Sequence, residues 1–350
     1  MYSRRDCDSL RARSLATSTS TESSTPPTPQ MSESSTEILD LYDLALLFNY
    51  ERGSSEPRYR HTKLREVVRD NESFQTVRLL NTTWSTRHSP KVAFAFDTIR
   101  PPKNKLNEPD LPTNILPTPI PPNLAHLSSK ELETIYWQAR NHDACYKSVT
   151  LIQHFFDYYP LETRVRIRTS AGTNYTTTIS SRDIIEFKLH RPKLATNACV
   201  LPSGTGHFTG MEDVMDHAVL GFGDTILDLT SMQFGDEGRG LGGKSVFVLE
   251  SREKYYERLK KFAEYADIEN AKHSFYIFPP EDPGVNEWLL DVARRVKERW
   301  DRRATEHWCG HCGAPAVMMR CSLCKDAYYC DKEHQAAAWP FHKKFCSGKK

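Results

Sequence analysis

Eight cysteine and histidine residues near the end of the chain are spaced like metal ligands. They follow the pattern Cys309-x2-Cys312-x8-Cys321-x2-Cys324-x5-Cys330-x3-His334-x7-His342-x3-Cys346. Thiolates and imidazoles are the ligands that zinc prefers, and a structural zinc ion takes four of them in tetrahedral geometry. The spacing therefore predicts two zinc ions.

The spacing within each pair of ligands predicts the local structure that brings the two ligands together. A CxxC turn brings two thiolates to one ion, and the x3 spacings of Cys330/His334 and His342/Cys346 predict that each pair lies on one helical face. All eight ligands are used, so no coordination position stays open and the predicted zinc is structural. A segment of about 40 residues buries too little apolar surface to fold alone. Zinc binding would supply the folding free energy instead, ~10–16 kcal/mol per structural ion in finger peptides.

The array resembles a MYND-type zinc finger over about residues 309–346. The resemblance is carried by the ligand spacing, by "YYC" and by "HQAAAWPFHKKFC" with its Trp339-Pro340. It implies that the ligands are shared in alternation between the two ions. The first ion would take Cys309, Cys312, Cys330 and His334, and the second would take Cys321, Cys324, His342 and Cys346.

This sequence departs from the family pattern in two ways. His334 stands where the family usually has cysteine, and the spacer before Cys330 is one residue longer. Imidazole is a good zinc ligand, so the first site should hold its ion with one negative charge fewer. His307 and His311 are interpreted as spare neighbours of the array.

The resemblance also implies a function, because MYND fingers are usually protein-interaction modules that dock short proline-containing peptides. Trp339, Gln335 and Tyr328 lie near the second half of the array and are the predicted peptide groove. An alternative stays open for Trp339, which would serve equally well as the core of the finger itself.

A second group of residues, in the middle of the chain, has the types needed for thiol chemistry. Cys145 lies at the first turn of a predicted helix capped by Asp143, where exposed amides favour a thiolate. Downstream, "HAVLGF-GD-TILDLT" predicts a hairpin with a two-residue Gly-Asp turn. That turn makes His217 and Asp228 diagonal neighbours on one face. A base oriented by a carboxylate, with a cysteine upstream, is the logic of a Cys-His-Asp triad.

The order helix-cysteine, strand-histidine, strand-aspartate is similar to that of the papain and transglutaminase-like superfamily, over about residues 129–278. This resemblance is topological and lacks the local Cys-Gly-Ser-Cys run of papain-like enzymes. The alternative interpretation is that Cys145 is a small buried apolar residue and that the middle domain is a scaffold without activity.

One glycine-rich motif is interpreted as a loop. "GRGLGGKS", from Gly238 to Ser245, fits the pattern of a phosphate-binding loop, which requires a helix to begin at the lysine. The following "SVFVLE" is β-branched and apolar and predicts a strand instead. We therefore predict a glycine-rich surface loop and no nucleotide site.

The rest of the chain divides by composition into five parts. Residues 1–36 are rich in Ser, Thr and Pro and are predicted to be disordered; 37–100 are partly helical; 101–125 form a proline-rich linker or a rim around a neighbouring domain. Residues 126–300 show the helix and strand patterns of an α+β domain, and 305–350 hold the finger. The predicted α+β elements include a helix at "SREKYYERLKKFAEYA" and a strand at "HSFYIF".

Composition narrows the classes of partner and compartment. Of 350 residues, 47 are Lys or Arg and 45 are Asp or Glu, so a net charge of +2 provides no field for nucleic acid or acidic lipid. No stretch reaches the length of a membrane span, and the first residues lack a secretory signal. Without such a signal, the CxxC pairs favour metal binding over disulfides. They also favour an intracellular protein, in the cytoplasm, the nucleus or both. We predict a zinc-dependent interaction protein, with a Cys145-His217-Asp228 hydrolase or transferase as the alternative.

Overall fold

The computed structural model describes residues 37–86, 90–315 and 317–348, which form one unit from Glu37 onward. The predicted disorder of residues 1–36 lies outside the described residues. The helices are α1 (Leu41–Ser55), α2 (Asn81–Ser85), α3 (Ser129–Arg140), α4 (Cys145–Phe156), α5 (Arg252–Phe262), α6 (Pro283–Asp301) and α7 (Lys332–Phe345).

The strands form several small sheets, so the fold is a mixed α and β arrangement. They are β1 (Ile38–Asp40), β2 (Thr62–Arg69), β3 (Lys91–Thr98), β4 (Arg164–Arg168), β5 (Asn174–Thr178), β6 (Arg182–Pro192), β7 (Ala195–Leu201), β8 (Thr205–Thr209), β9 (Val214–Phe222), β10 (Thr225–Asp228), β11 (Val248–Ser251), β12 (Ala263–Ser274), β13 (Met319–Arg320) and β14 (Tyr328–Tyr329). The sheet orders are β1-β4-β5, β2-β3-β7-β8, β11-β10-β9-β6-β12 and β13-β14.

Helix α1 lies at the centre of the described structure. The Asp40 side chain caps it by accepting from the Asp43 amide, and most of its residues are buried on all sides. Its first half, from Leu41 to Phe48, is apolar around most of its circumference, which is the pattern of a helix inside a core. Two buried guanidinium groups flank its end, because Arg52 donates to the Asn141 side chain and Arg140 donates to the Gly53 carbonyl. The finger, α3 and α6 can therefore all pack against one rigid element.

The predicted helices around Cys145 form, with one change of detail. Ser128 and Glu131 make a capping box at the start of α3, and α4 begins at Cys145. The prediction that Asp143 caps α4 is wrong. Its backbone has a positive φ of 48°, Ala144 occupies the cap position, and the Asp143 carboxylate pairs with His142 instead.

Two predicted elements after β11 differ from the structure. The predicted helix over "SREKYYERLKKFAEYA" ends at Phe262, and Ala263 starts β12, which pairs with β6. The strand predicted at "HSFYIF" is displaced, because β12 ends at Ser274 and the chain then crosses α4. Pairing with β6 outweighs the local helical pattern of the tyrosines and alanines.

The proline-rich segment is anchored along its length. The Ile115 carbonyl accepts from the Leu64 amide at 2.7 Å, and the Asp110 carbonyl accepts from the Tyr136 hydroxyl at 2.8 Å. Ile115 and Leu124 are buried. The segment therefore closes one side of the core. Among the described residues, no helix has both the length and the apolarity to cross a bilayer.

Candidate metal centre and thiol site

The eight predicted ligands come together in two groups of four. One group holds Cys309, Cys312, Cys330 and His334, and the other holds Cys321, Cys324, His342 and Cys346. Within each group the ligand atoms lie within 4.8 Å of one another. Since neighbouring pairs in sequence alternate between the groups, the arrangement is cross-braced, as the family resemblance implies.

The spacing of the ligand atoms fits tetrahedral zinc. Zinc–ligand bond lengths place two sulfurs about 3.8 Å apart, and a sulfur and a nitrogen about 3.6 Å apart. Cys312 Sγ lies 3.6 Å from Cys330 Sγ, and Cys309 Sγ lies 3.4 Å from His334 Nδ1. Cys324 Sγ lies 3.5 Å from His342 Nε2. The residues present therefore suit two structural zinc ions.

Disulfides do not compete for these sulfurs. The structure describes eight of the nine cysteines of the chain, and none of these eight is in a disulfide. The ninth, Cys7, lies outside the described residues. One local prediction is wrong: Cys330 precedes α7, which is capped by Asp331, so Cys330 and His334 do not share a helix. The turn before the helix brings them together instead.

The finger is packed against α1 and the β1-β4-β5 sheet. The ring of Phe341, on α7, stacks on Tyr42 with centroids 3.5 Å apart and planes 7° apart. The Arg168 guanidinium lies over Tyr42, Phe341 and Phe345. Arg299 donates to the Gly313 carbonyl at 2.8 Å, and Lys344 donates to the Ser170 carbonyl. One face of α7 is thus occupied within the chain.

Gly313 should be sensitive to any side chain. Its φ is +74°, and a Cβ built there would lie 2.2 Å from the Leu46 carbonyl oxygen. Gly313→Ala should therefore both strain the backbone, by about 1–2 kcal/mol, and push the finger away from α1. We expect a lower thermal midpoint, measured by circular dichroism. Gly284→Ala, at an exposed position in the first turn of α6, is the control and should not lower the midpoint. Equal midpoints for both variants would contradict this docking.

His311 links the finger to α3. The sequence analysis interpreted His311 as a spare neighbour of the ligand array and did not predict this contact. His311 Nε2 donates to Glu133 Oε1 at 2.8 Å, and Arg239 donates to Glu133 Oε2 at 2.6 Å. Burial would raise the Glu133 pKa, but His311 and Arg239 outweigh it and lower the pKa to about 2. Glu133 and His311 also lie near His334, but Glu133 already has these two partners. We therefore assign Glu133, His311 and His334 a structural role.

The structure brings the three predicted thiol-site residues together. The Gly223-Asp224 turn pairs Phe222 with Thr225, as predicted, and His217 Nε2 lies 3.0 Å from Asp228 Oδ2. The Cys145 thiol lies close enough to His217 to contribute to the raised pKa of the imidazole. The exposed fractions are 5% for Cys145, 0% for His217 and 1% for Asp228. The cluster is therefore assembled but covered.

Charge in this cluster is balanced within the fold. Burial would lower the pKa of His217, but the Asp228 carboxylate and the Cys145 thiol outweigh it and raise the pKa to about 10. Burial would raise the Asp228 pKa, yet His217, the Thr230 amide and the Tyr255 hydroxyl hold it below its usual value. The pair therefore favours imidazolium and carboxylate over two neutral groups.

Two further partners of His217 and Asp228 were missed by sequence reasoning. The Tyr255 hydroxyl donates to Asp228 Oδ2 at 2.9 Å, and Gln233 Nε2 lies 3.3 Å from His217 Nδ1. Tyr255 is on α5, and Gln233 is in the turn after β10. Nothing in their local sequence distinguishes them from ordinary core or loop residues.

Comparison with known proteins identifies the finger. The family model of the MYND finger matches residues 309–346, so the cross-braced zinc module of this chain is a MYND finger. Egl nine homolog 1 of Homo sapiens is 44% identical over 41 residues, which are 12% of this chain and 10% of that protein. Programmed cell death protein 2 of Rattus norvegicus is 37% identical over 78 residues, 22% of this chain and 20% of that protein.

A third relative covers a similar stretch. Dauer abnormal formation protein 25 of Caenorhabditis elegans is 50% identical over 40 residues, 11% of this chain and 10% of that protein. The chain thus matches only a tenth to a fifth of the length of these relatives. No solved structure matches the chain.

Proposed function

We propose that this chain is an intracellular regulatory protein whose MYND finger binds protein partners through short proline-containing peptides. The observation that carries the proposal is the closed metal centre, because two groups of four ligands leave the zinc no catalytic position. A finger of this kind acts through its surface.

The surface available for a peptide lies on α7. Phe341 and Phe345 face the rest of the chain, whereas Gln335 and Trp339, four residues apart, share a different face and are half-buried. Trp339 also lies 5.9 Å from the ring of the ligand His342, so a change there disturbs the metal centre as well. Gln335 is the better residue to test.

Gln335→Ala should weaken peptide binding by the full-length, zinc-loaded chain about tenfold, the effect of losing a side chain near the centre of a small interface. Binding is measured by fluorescence anisotropy with a library of proline-containing peptides and the same peptides with alanine in place of proline. Lys332→Ala, exposed on the same helix, is the matched control. If no peptide binds, or if Gln335→Ala binds as the parent does, the proposed groove is wrong.

A second candidate function is a thiol hydrolase or transferase to which the finger recruits substrate. The observation that favours it is the meeting of Cys145, His217 and Asp228, which come from α4, β9 and β10. A similar order of elements supports the proposed likeness to the papain and transglutaminase-like superfamily. In this role Cys145 is the nucleophile, His217 the base and Asp228 the group that orients the imidazole.

A further inference from the structure

An exposed group of aromatic and proline residues follows β12. Residues 275–281 have the sequence "FYIFPPE" and are here named the aromatic-proline segment. The exposed fractions are 87% for Phe278, 49% for Tyr276 and 40% for Phe275. The rings of Tyr276 and Phe278 meet edge-on with centroids 5.9 Å apart. A group of large apolar side chains exposed together on a surface is typical of an interaction site.

The fold holds this segment near both of its ends. The Ile277 amide donates to Gln153 Oε1 at 2.9 Å, and the Ile277 carbonyl accepts from Gln153 Nε2 at 3.1 Å. After the segment, the Asp282 carboxylate caps α6 by accepting from the Gly284 amide, and Pro283 begins the helix. A partner therefore meets a preformed surface, which has less conformational entropy to lose on binding than a free peptide has.

The segment has the composition of a ligand for the finger. It contains two adjacent prolines, and the exposed Glu281 follows them directly. The face of α7 that carries Gln335 and Trp339, here named the α7 face, continues after four more residues with the exposed Lys343. The proline pair suits the proposed peptide groove, and Glu281 and Lys343 supply opposite charges beside it.

The finger of the same copy docks at the far end of α6. Helix α6 has 19 residues and is therefore about 28 Å long, and the aromatic-proline segment enters it at Pro283. The finger is bound near the last turn, where Arg299 donates to the Gly313 carbonyl. The length of the helix thus separates the segment from the point where the finger docks.

Helix α7 packs still farther from the segment. Trp288, in the first half of α6, donates to Ser55 at the end of α1. The later residue Arg299 donates to the earlier residue Glu51, so α1 runs antiparallel to α6. The start of α1, against which α7 packs, therefore points away from the segment. Because the fold holds both the segment and the docked finger, the finger that can take the segment is that of another copy.

We propose that the aromatic-proline segment of one copy binds the α7 face of the finger in a second copy. The inference rests on the proposed peptide-binding function and names one ligand for it, a second copy of this chain. Two different surfaces meet in this contact, so each pair keeps one unused segment and one unused finger. The association therefore runs head to tail and extends as the concentration rises.

The first test is the molecular mass of the full-length, zinc-loaded chain, measured by sedimentation equilibrium over a range of concentrations. Phe278→Ala and Gln335→Ala should each weaken self-association about tenfold, because each removes a side chain near the centre of the interface. Leu79→Ala removes a similarly exposed apolar side chain elsewhere and should leave it unchanged. An equimolar mixture of the two weak variants should form dimers and stop there, because the finger of Phe278→Ala and the segment of Gln335→Ala are both intact.

An exchange of charges tests which surfaces face each other. Glu281→Lys or Lys343→Glu alone should weaken self-association about fivefold, because an attraction becomes a repulsion. The variant with both changes should return to within about twofold of the parent, since the two sites then carry opposite charges again. Elemental analysis should give two zinc ions per chain in every variant.

The outcomes separate this inference from the proposed function. If proline-containing peptides bind through Gln335 while the parent stays monomeric at the same concentrations, the second copy is not the ligand and the peptide-binding function stands. Self-association that Phe278→Ala leaves unchanged, or a double charge variant that stays weak, also overturns the inference. Self-association that Phe278→Ala weakens and Gln335→Ala does not would place the contact outside the α7 face and overturn it as well.

Discussion

His334→Ala should release the first zinc ion and unfold the finger, whereas His334→Cys should keep both ions bound. Alanine leaves three ligands at that ion, and structural zinc in finger peptides contributes ~10–16 kcal/mol, as much as the whole stability of an ordinary domain. Cysteine restores a fourth ligand with a thiolate. Elemental analysis gives the zinc content, with two per chain expected for the parent and for His334→Cys.

The finger packs against α1, so unfolding of the finger in His334→Ala should also destabilise the rest of the chain. Loss of the Tyr42–Phe341 stack and of the Arg299–Gly313 contact exposes part of the central core. We expect a lower midpoint for the whole chain in calorimetry. His307→Ala is the matched control, since His307 is an exposed histidine next to the array that stacks on Tyr328. One zinc ion in the parent, iron in place of zinc, or two ions in His334→Ala would contradict the cross-braced assignment.

The metal centre could be predicted from sequence because its determinants are local. Zinc chemistry selects cysteine and histidine, and CxxC turns fix the first contacts whatever surrounds them. The contact between His217 and Asp228 was predictable for a similar reason. A two-residue turn at Gly223-Asp224 sets the register of β9 and β10, and the register sets which side chains meet.

The surroundings of both sites depend on contacts between distant segments, which local patterns do not specify. Tyr255 reaches Asp228 from α5, and His311 reaches Glu133 across 178 positions of sequence. The end of α5 at Phe262 is another case, because pairing with β6 decides it and the local pattern continues as a helix. Docking of the finger on α1 could not be predicted for the same reason. An amphipathic helix face indicates that the face is buried but does not indicate which element buries it.

Cys145 should react with iodoacetamide at least about tenfold faster than Cys199 in the native chain, provided that its contact with His217 draws the thiol proton. Both cysteines are buried, at 5% and 1% exposure, so each observed rate is the product of an opening equilibrium and the reactivity of the thiol, and Cys199 serves as the internal standard. The part of this difference that a change at His217 removes reports activation by the neighbouring imidazole.

His217→Gln is the informative change in this cluster. His217→Ala would leave the buried Asp228 carboxylate without its charge partner, a loss of about 3–5 kcal/mol that risks unfolding the chain. Glutamine offers Asp228 an N–H donor but cannot take a proton from the thiol, so the Cys145 rate should fall about tenfold while Cys199 and the far-UV spectrum stay unchanged. Asp228→Asn should reduce the rate less, because the imidazole remains. If Cys145 is inert until the chain unfolds, or reacts equally in His217→Gln, its thiol is a core group and the middle of the chain serves the finger as a scaffold.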